Sequence, residues 1–567
     1  MDIQIQDSQV RLQASYFKGA DEPPLLDATI GDYLDEIVAR FPEREALVVP
    51  YQGIRWTYVE YLGEIEKLAV GLITLGIGPG DRVGIWSPNG YEWCLTQFAT
   101  AKIGAVLVNI NPAYRVFELE YALKKSGCRA VIAAEQFKSS RYLEMLTYLA
   151  PELAACEPGR LRARKLPQLE AVIRMGSARS PGMLNFDELR RVGGAGGMSR
   201  LREIQSGLSP WDVINIQFTS GTTGTPKGAA LTHHNLLNNA NQVAAGMRLS
   251  EHDRLCIPVP MYHCFGMVLG KLACVTRGAA AVYPGEGFEP GEVLKTVQAE
   301  RCTALHGVPT MFIAELEHPD FDRYDLTSLR TGIMAGAPCP VEVMKKVIAR
   351  MHMSEVLIAY GQTECSPVNH MTLADDPLEK RVETVGRAGP HLEVKIVDAQ
   401  GQIVPIGAKG DICTRGYAVM KCYWDEPERT AETVDADGWL HSGDLGIMDE
   451  EGYVRVVGRL KDMIIRGGEN IYPREIEEFL FTHPDVQDAK VIGVPDEKYG
   501  EEVCAWIQLR EGAKLSEDDV RAYCKARIAY FKVPRYIRFV REFPMTVTGK
   551  VQKFKMRQKM AEELGVA

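Results

Sequence analysis

Short apolar runs rich in Val and Ile alternate along the chain with longer segments in which apolar residues recur at helical spacing. RVGIW (82–86), AVLVNI (105–110) and AVIAA (130–134) are the first strands this pattern predicts. Further strands are expected at RLCIPVP (254–260), AAVYP (280–284), CTALHGVP (302–309), GIMAG (332–336) and VLIAYG (356–361). Strand-sized apolar runs between helical segments predict an α/β class of layered, buried sheets. VINIQF (213–218) differs, because Ile214, Ile216 and Phe218 alternate with polar Asn215 and Gln217. That period predicts a strand with one polar face. VGGAGG (192–197) predicts a flexible surface loop. GIGPGD (76–81) mimics part of a dinucleotide fingerprint. It follows a helical segment rather than a strand and lacks the full G-x-G-x-x-G, so it predicts a helix end and turn.

After Gly458 the texture changes. DMII (462–465) predicts a short strand and GGEN (467–470) a turn. YPREIEEFLF (472–481) predicts a helix with Pro473 near its first position and Ile476, Phe479 and Leu480 on one face. A domain boundary is expected near 458–461, giving an N-terminal domain 1–458 and a C-terminal domain 459–567.

A chain of 567 residues exceeds what one core usually holds, which supports at least two domains. The net charge of −10 argues against a general nucleic-acid binder. From Arg521 onward, however, twelve Lys and Arg face three Glu, which suggests a local anionic ligand. The thirteen Cys include no CxxC pair, and no H-E-x-x-H occurs, so no zinc site is signalled. Unspaced thiols fit a reducing compartment. The polar N-terminus offers neither a secretory signal nor a transit peptide. No apolar run reaches the length of a membrane span. The expected location is the cytoplasm.

TSGTTGTPKG (219–228) looks built to touch phosphate. A P-loop needs G-x-x-x-x-G-K-[ST]. Five residues on from Gly221 stands Pro226, and Lys227 is followed by Gly228, so the pattern fails twice. The glycines still let backbone N–H groups approach an anion, and the hydroxyls add donors. YGQTE (360–364) follows an apolar strand, where α/β sheets bind ligands. Tyr360 can stack on a base, Thr363 can donate to a phosphate and Glu364 can hold magnesium. In HSGD (441–444), Asp444 is placed to accept from ribose hydroxyls. GRLKDMIIRGGENIYPREIE (458–477) and PMTVTGK (544–550) complete the set.

These five elements in this order resemble the adenylate-forming superfamily of acyl-CoA synthetases, peptide-synthetase adenylation domains and firefly luciferase. The chain is most similar to the medium-chain fatty acyl-CoA synthetase branch. The resemblance implies a large N-terminal domain of layered sheets and helices, with a small β-barrel-like subdomain, and a small mobile α+β C-terminal domain. It implies an acid–thiol ligase using ATP, Mg2+ and CoA on a small carboxylic acid, with medium- to long-chain fatty acids favoured. The alternative is an aryl, branched or short thioether acid, and a carrier-protein acceptor in place of CoA stays open. No nucleic acid or membrane span is implied, and a homodimer is compatible.

By match to the family motifs, Thr219, Ser220, Gly221, Thr222, Thr223, Gly224 and Lys227 would hold the β/γ phosphates. Ala335, Gly336, Ala337 and Pro338 would lie along the adenine, with Tyr360 on its other face and Gly361 and Gln362 also binding the nucleotide. Thr363 would contact the α-phosphate and Glu364 would bind Mg2+. Asp444, helped by Arg459, would take the ribose. Lys550 would bridge the carboxylate and the α-phosphate. Lys461 is the expected hinge, and Gly467, Gly468 and Glu469 would line the pantetheine path. His263 would abut the substrate carboxyl without acid–base work. Met267, Val308, Met311 and Gly361 would wall the acyl pocket, with Gly361 opening depth for an alkyl tail. A basic tail would offer charge to CoA phosphates.

Overall fold

The computed structural model describes residues 11–565 apart from 193–194, 220–225, 338, 467–468, 526 and 547–548. The chain divides into two compact units. The first holds 18–393 and 414–440; the second holds 8–17, 394–413 and 441–567. The boundary expected at 458–461 therefore falls inside the second unit. It coincides with the turn Leu460–Asp462 that follows strand Val454–Arg459.

The first unit contains two large sheets. In one, strands Ala171–Arg174, Ala130–Ala133, Arg82–Trp86, Val106–Asn109 and Val213–Thr219 run parallel. Lys227–Thr232 and then Cys422–Tyr423 extend this sheet antiparallel. In the other, Glu355–Gly361, Thr331–Ala335, Ala304–Leu305, Arg254–Cys256, Ala280–Val282 and Glu45–Val49 run parallel. Antiparallel strands close both edges of this second sheet. Ala130–Ala133 and Val106–Asn109 are buried at every position, which is why, Asn109 apart, their sequences are apolar without alternation. The expected strands are present but shorter at 254–260 and 302–309, where Arg254–Cys256 and Ala304–Leu305 form the strands and Gly307 adds a single bridge to Met334.

Strand Val213–Thr219 forms as expected, and its polar face is an interior one: Asn215 and Gln217 are as buried as Ile214 and Ile216. Its polar positions point into an interior where Asn215 Nδ2 donates to Leu107 O and Asn109 Oδ1 at 2.9 and 3.0 Å. The glycine run at 192–197 is not wholly loop, because a helix begins at Ala195. A Cβ at Gly197 would lie 2.3 Å from Val70 Cγ1. That glycine serves close helix packing against Tyr58–Thr74 rather than flexibility.

The second unit holds most of a five-stranded sheet ordered Tyr16–Lys18, Leu392–Val397, Lys409–Gly416, Leu440–Met448 and Val454–Arg459. It also contains a sheet built on the hairpin Val486–Asp496 and Gly500–Leu509, with Ile464–Arg466 and Tyr536–Phe539 beside the latter strand. Helix Pro473–Phe481 starts at Pro473 as expected and buries Ile476 and Leu480. GIGPGD is a turn after helix Tyr58–Thr74, with Gly76 and Gly80 at φ near +79°.

Candidate active site

Strand Val213–Thr219 leads to the glycine- and threonine-rich segment, and Lys227 lies opposite Thr219 on the neighbouring strand. Ser220, Gly221, Thr222, Thr223 and Gly224 lie outside the described residues. Lys227 Nζ stands 4.6 Å from the centre of the Tyr423 ring. Tyr423 sits on a two-residue strand that pairs with Lys227–Thr232, opposite Ala229. Its hydroxyl donates to Glu364 Oε1 at 2.6 Å, and both side chains are buried. Burial, and then the Glu364 carboxylate, push the Tyr423 phenol well above its usual range, so it stays a donor.

Glu364 belongs to the turn Thr363–Cys365, which follows the C-terminal end of strand Glu355–Gly361. The adjacent parallel strand Thr331–Ala335 ends in register with it, Ala335 opposite Ala359. Beyond it the chain turns at Gly336, whose φ of +88° suits glycine. The AGAP and YGQTE segments thus emerge side by side at one sheet end, the ligand-binding edge of an α/β sheet. Pro338 lies outside the described residues. Tyr360 is half-buried and meets His370 across the next strand, ring centres 5.6 Å apart at 60°. Burial holds the His370 imidazole neutral, its pKa pushed down to about 3.

The MYHCFGM segment reaches the same turn. Cys264 Sγ lies 3.6 Å from Thr363 Oγ1. The Phe265 N–H donates to His263 Nδ1 at 3.1 Å, so that nitrogen carries a lone pair and the ring proton resides on Nε2. Met267 is the third residue of a buried π-helical stretch, Phe265–Leu272. Its sulfur accepts from Asn109 Nδ2 at 3.5 Å, and the same amide donates to Tyr262 O at 2.9 Å. Val308 and Met311, at the start of helix Pro309–Leu316, are buried. His306 ties their strand to the segment, donating from Nε2 to Leu269 O at 2.9 Å and accepting from the Ile333 N–H at 3.2 Å.

Gly361 also meets a backbone constraint that is independent of pocket depth. A Cβ there would lie 2.0 Å from the Pro367 carbonyl oxygen. Its missing side chain is required by the close approach of the Pro367 backbone.

In the second unit Asp444 and Arg459 face each other on paired strands, and Arg459 Nε donates to Asp444 Oδ1 at 2.8 Å. Asp444 is buried on that face. Lys461 is exposed within the turn Leu460–Asp462. Lys550 is exposed, and the Thr546 N–H donates to its carbonyl oxygen at 2.7 Å. Gly467 and Gly468 lie outside the described residues, and only the backbone of Glu469 is described, paired opposite Arg466. The basic tail is less available than its charge suggests. Arg521, Lys532, Arg535, Arg538, Lys553 and Arg557 are all engaged with carboxylates of the same unit.

The family model described as AMP-binding enzyme matches residues 34–424, and that of the AMP-binding enzyme C-terminal domain matches 475–550. The chain belongs to the AMP-binding enzyme family. The Bacillus subtilis (strain 168) protein YngI, which carries the name of an acyl-CoA synthetase, is 52% identical over 95% of this chain and 98% of its own. The mitochondrial medium-chain acyl-CoA ligase ACSF2 of Danio rerio is 46% identical over 98% of this chain and 92% of its own. The crystal structure of the anthranilate CoA ligase AuaEII with anthranoyl-AMP superimposes with a TM-score of 0.84 at 27% identity, covering 96% of this chain and 99% of that one.

Within this AMP-binding enzyme the first unit brings Lys227, Glu364, Thr363 and the His263 segment together. Sequence reasoning missed Tyr423, which joins Glu364 to the strand beside Lys227, and Asn109 and His306, which bond to Tyr262 O and Leu269 O on either side of His263. Tyr423 carried the one available signal, an aromatic within CYWDEPERT (422–430), but its partner lies 59 positions away. Among the described residues no helix is long and apolar enough to cross a membrane.

Proposed function

We propose that this enzyme converts a medium- to long-chain fatty acid, ATP and CoA into acyl-CoA, AMP and diphosphate through an acyl-adenylate. It is an AMP-forming acid–thiol ligase. In the first step a carboxylate oxygen attacks the α-phosphorus and the bond to the β-phosphate oxygen breaks, releasing diphosphate. In the second the CoA sulfur attacks the acyl carbonyl, the bond to AMP breaks, and the thiol proton is released to solvent.

The observation that carries this reading is the junction at Thr363. Its hydroxyl meets the His263–Cys264 segment on one side, while its neighbour Glu364 is bonded through Tyr423 toward Lys227. An acid held beside His263 would therefore lie next to a phosphate held by Thr363 and Lys227. Proximity of two held reactants accounts for much of such a rate gain. Lys227 and Thr219 would anchor the departing diphosphate, Tyr360 would stack on adenine beside Ala335–Ala337, and Asp444 would accept from the ribose. Lys550 would face the α-phosphoryl oxygens, where charge builds during in-line attack.

Glu364 fits a magnesium ion, because Tyr423 occupies only one of its oxygens and leaves a hard carboxylate oxygen, the donor Mg2+ prefers. When bound, that ion neutralises phosphate charge. The domain carrying Lys550 would swing about Lys461 between the two steps. All thirteen cysteines stand as free thiols, which supports a reducing compartment, the cytoplasm.

ATP–pyrophosphate exchange with acids of two to eighteen carbons tests the reading (chain lengths of roughly this span cover the class, and one to three kcal/mol of added burial should separate neighbours). A maximum among medium chains supports it; exchange with none refutes it. Anthranilate belongs in the panel, because the AuaEII structure shares this fold across nearly the whole chain.

A further inference from the structure

Asp411 and Cys413 are two apart on strand Lys409–Gly416, so their side chains leave one face. His441 lies on the neighbouring strand Leu440–Met448. His441 Nδ1 is 3.0 Å from Asp411 Oδ2 and 3.3 Å from Cys413 Sγ, and Cys413 Sγ is 3.7 Å from the same Asp411 oxygen. One carboxylate oxygen, one thiol and one imidazole nitrogen thus form a compact triangle. We propose that Asp411, Cys413 and His441 form a three-ligand site for a borderline-soft divalent cation of the Zn2+ or Co2+ type.

The edge lengths carry the argument. Tetrahedral zinc with usual bonds of about 2.0–2.3 Å separates its ligand atoms by roughly 3.3–3.6 Å. The three observed edges bracket that range, so a cation can be seated by shifts of a few tenths of an ångström. The Asp411 carboxylate is already oriented, since its Oδ1 accepts from the Gly443 N–H at 3.0 Å. Such outer hydrogen bonds commonly set ligand direction. Cys413 is buried, whereas the Asp411 and His441 side chains are 21% and 37% exposed. Solvent therefore reaches the triangle from the side of the two lighter donors, which leaves a fourth position for water.

The donor set also selects. Sulfur and imidazole suit zinc and cobalt, while magnesium demands oxygen. The site is thus chemically separate from the carboxylate of Glu364, and its existence does not depend on what Asp444 binds. It escaped sequence inspection because the ligands are D-x-C on one strand and a His 28 positions later, a spacing that matches no zinc motif. On binding, the Cys413 thiol proton is released to solvent and its sulfur becomes the anionic ligand, while the His441 ring proton moves from Nδ1, where it faces the Asp411 carboxylate, to Nε2.

The test is titration of the full-length protein with Co2+ alone, in buffer holding excess Mg2+, followed by absorption spectroscopy. One equivalent with a thiolate-to-cobalt charge-transfer band and the strong visible bands of a four-coordinate ion is expected. Cys413→Ser should abolish the charge-transfer band. His441→Gln should weaken binding at least tenfold, and Cys422→Ser should change neither. Circular dichroism of each variant checks that it folds. No band in the unaltered protein, a band surviving Cys413→Ser, or unchanged affinity in folded His441→Gln would each overturn the assignment and leave the triangle a hydrogen-bonded polar patch.

Discussion

The Tyr423 hydroxyl donates to Glu364 Oε1 across 2.6 Å, and this single bond joins the strand beside Lys227 to the turn that ends strand Glu355–Gly361. Neither residue can shift without disturbing the other. A hydrogen bond to a charged group contributes about 1.5–3 kcal/mol. Tyr423→Phe keeps the ring under Lys227 and removes only the donor. The expected outcome is a fall of roughly ten- to a hundredfold in acid-dependent pyrophosphate exchange, with circular dichroism unchanged. Full activity in a folded variant would mean that Glu364 needs no orientation.

Gly361 separates two explanations that the sequence leaves mixed. Its Cβ direction meets the Pro367 carbonyl, so Gly361→Ala should destabilise the fold by about 1–3 kcal/mol, as overpacking does. Activity should fall alike for short and long acids. Selective loss of long acids, with melting temperature unaltered, would instead make the glycine an opening for the alkyl tail.

How much of this was legible beforehand depends on sequence distance. The buried parallel strands could be read because each is a short apolar run between helical segments. The anion segment could be read because its glycines and hydroxyls are contiguous. What failed were inferences that needed a partner from elsewhere. Asn215 and Gln217 alternate as a surface strand would, yet both are buried, with Asn215 bonded to Leu107 O and Asn109 Oδ1. Gly197 looks like a loop residue until Val70 is placed against it. The tail cations look available until Glu475, Glu477, Asp496 and Glu563 are found beside them.

His306 gives a pH prediction. Burial pushes its pKa down from the usual 6.5 to about 4, so the folded state keeps it neutral while the unfolded chain protonates it below 6.5. Between these values the unfolded state binds more protons, and stability falls as pH falls. The slope per histidine is at most about 1.4 kcal/mol per pH unit. His233 and His370 act in the same direction, and buried Glu315, whose carboxyl is pushed up, acts in the opposite one. Comparison of variants cancels these. His306→Gln should flatten the denaturant-measured stability slope between pH 6.5 and 4 by up to one proton. An unchanged slope would mean that His306 already titrates normally in the fold.

Lys461 occupies an exposed turn between strands Val454–Arg459 and Ile464–Arg466. Proline there fixes φ near −65°. If this turn is the hinge, Lys461→Pro should retain pyrophosphate exchange and lose acyl-CoA formation by at least about a hundredfold, the penalty of a misplaced reacting group. Overall turnover equal to that of the unaltered enzyme would remove the hinge from Lys461.

The most direct measurement follows both half-reactions in Lys550→Ala. A preorganised cation at the α-phosphate contributes about 3–4 kcal/mol, or two to three decades of rate. Pyrophosphate exchange with a medium-chain acid should drop by that factor, while acyl-CoA formation from supplied acyl-AMP should proceed at the unaltered rate. Equal loss in both reactions, or loss in neither, would contradict the division of labour between the two steps.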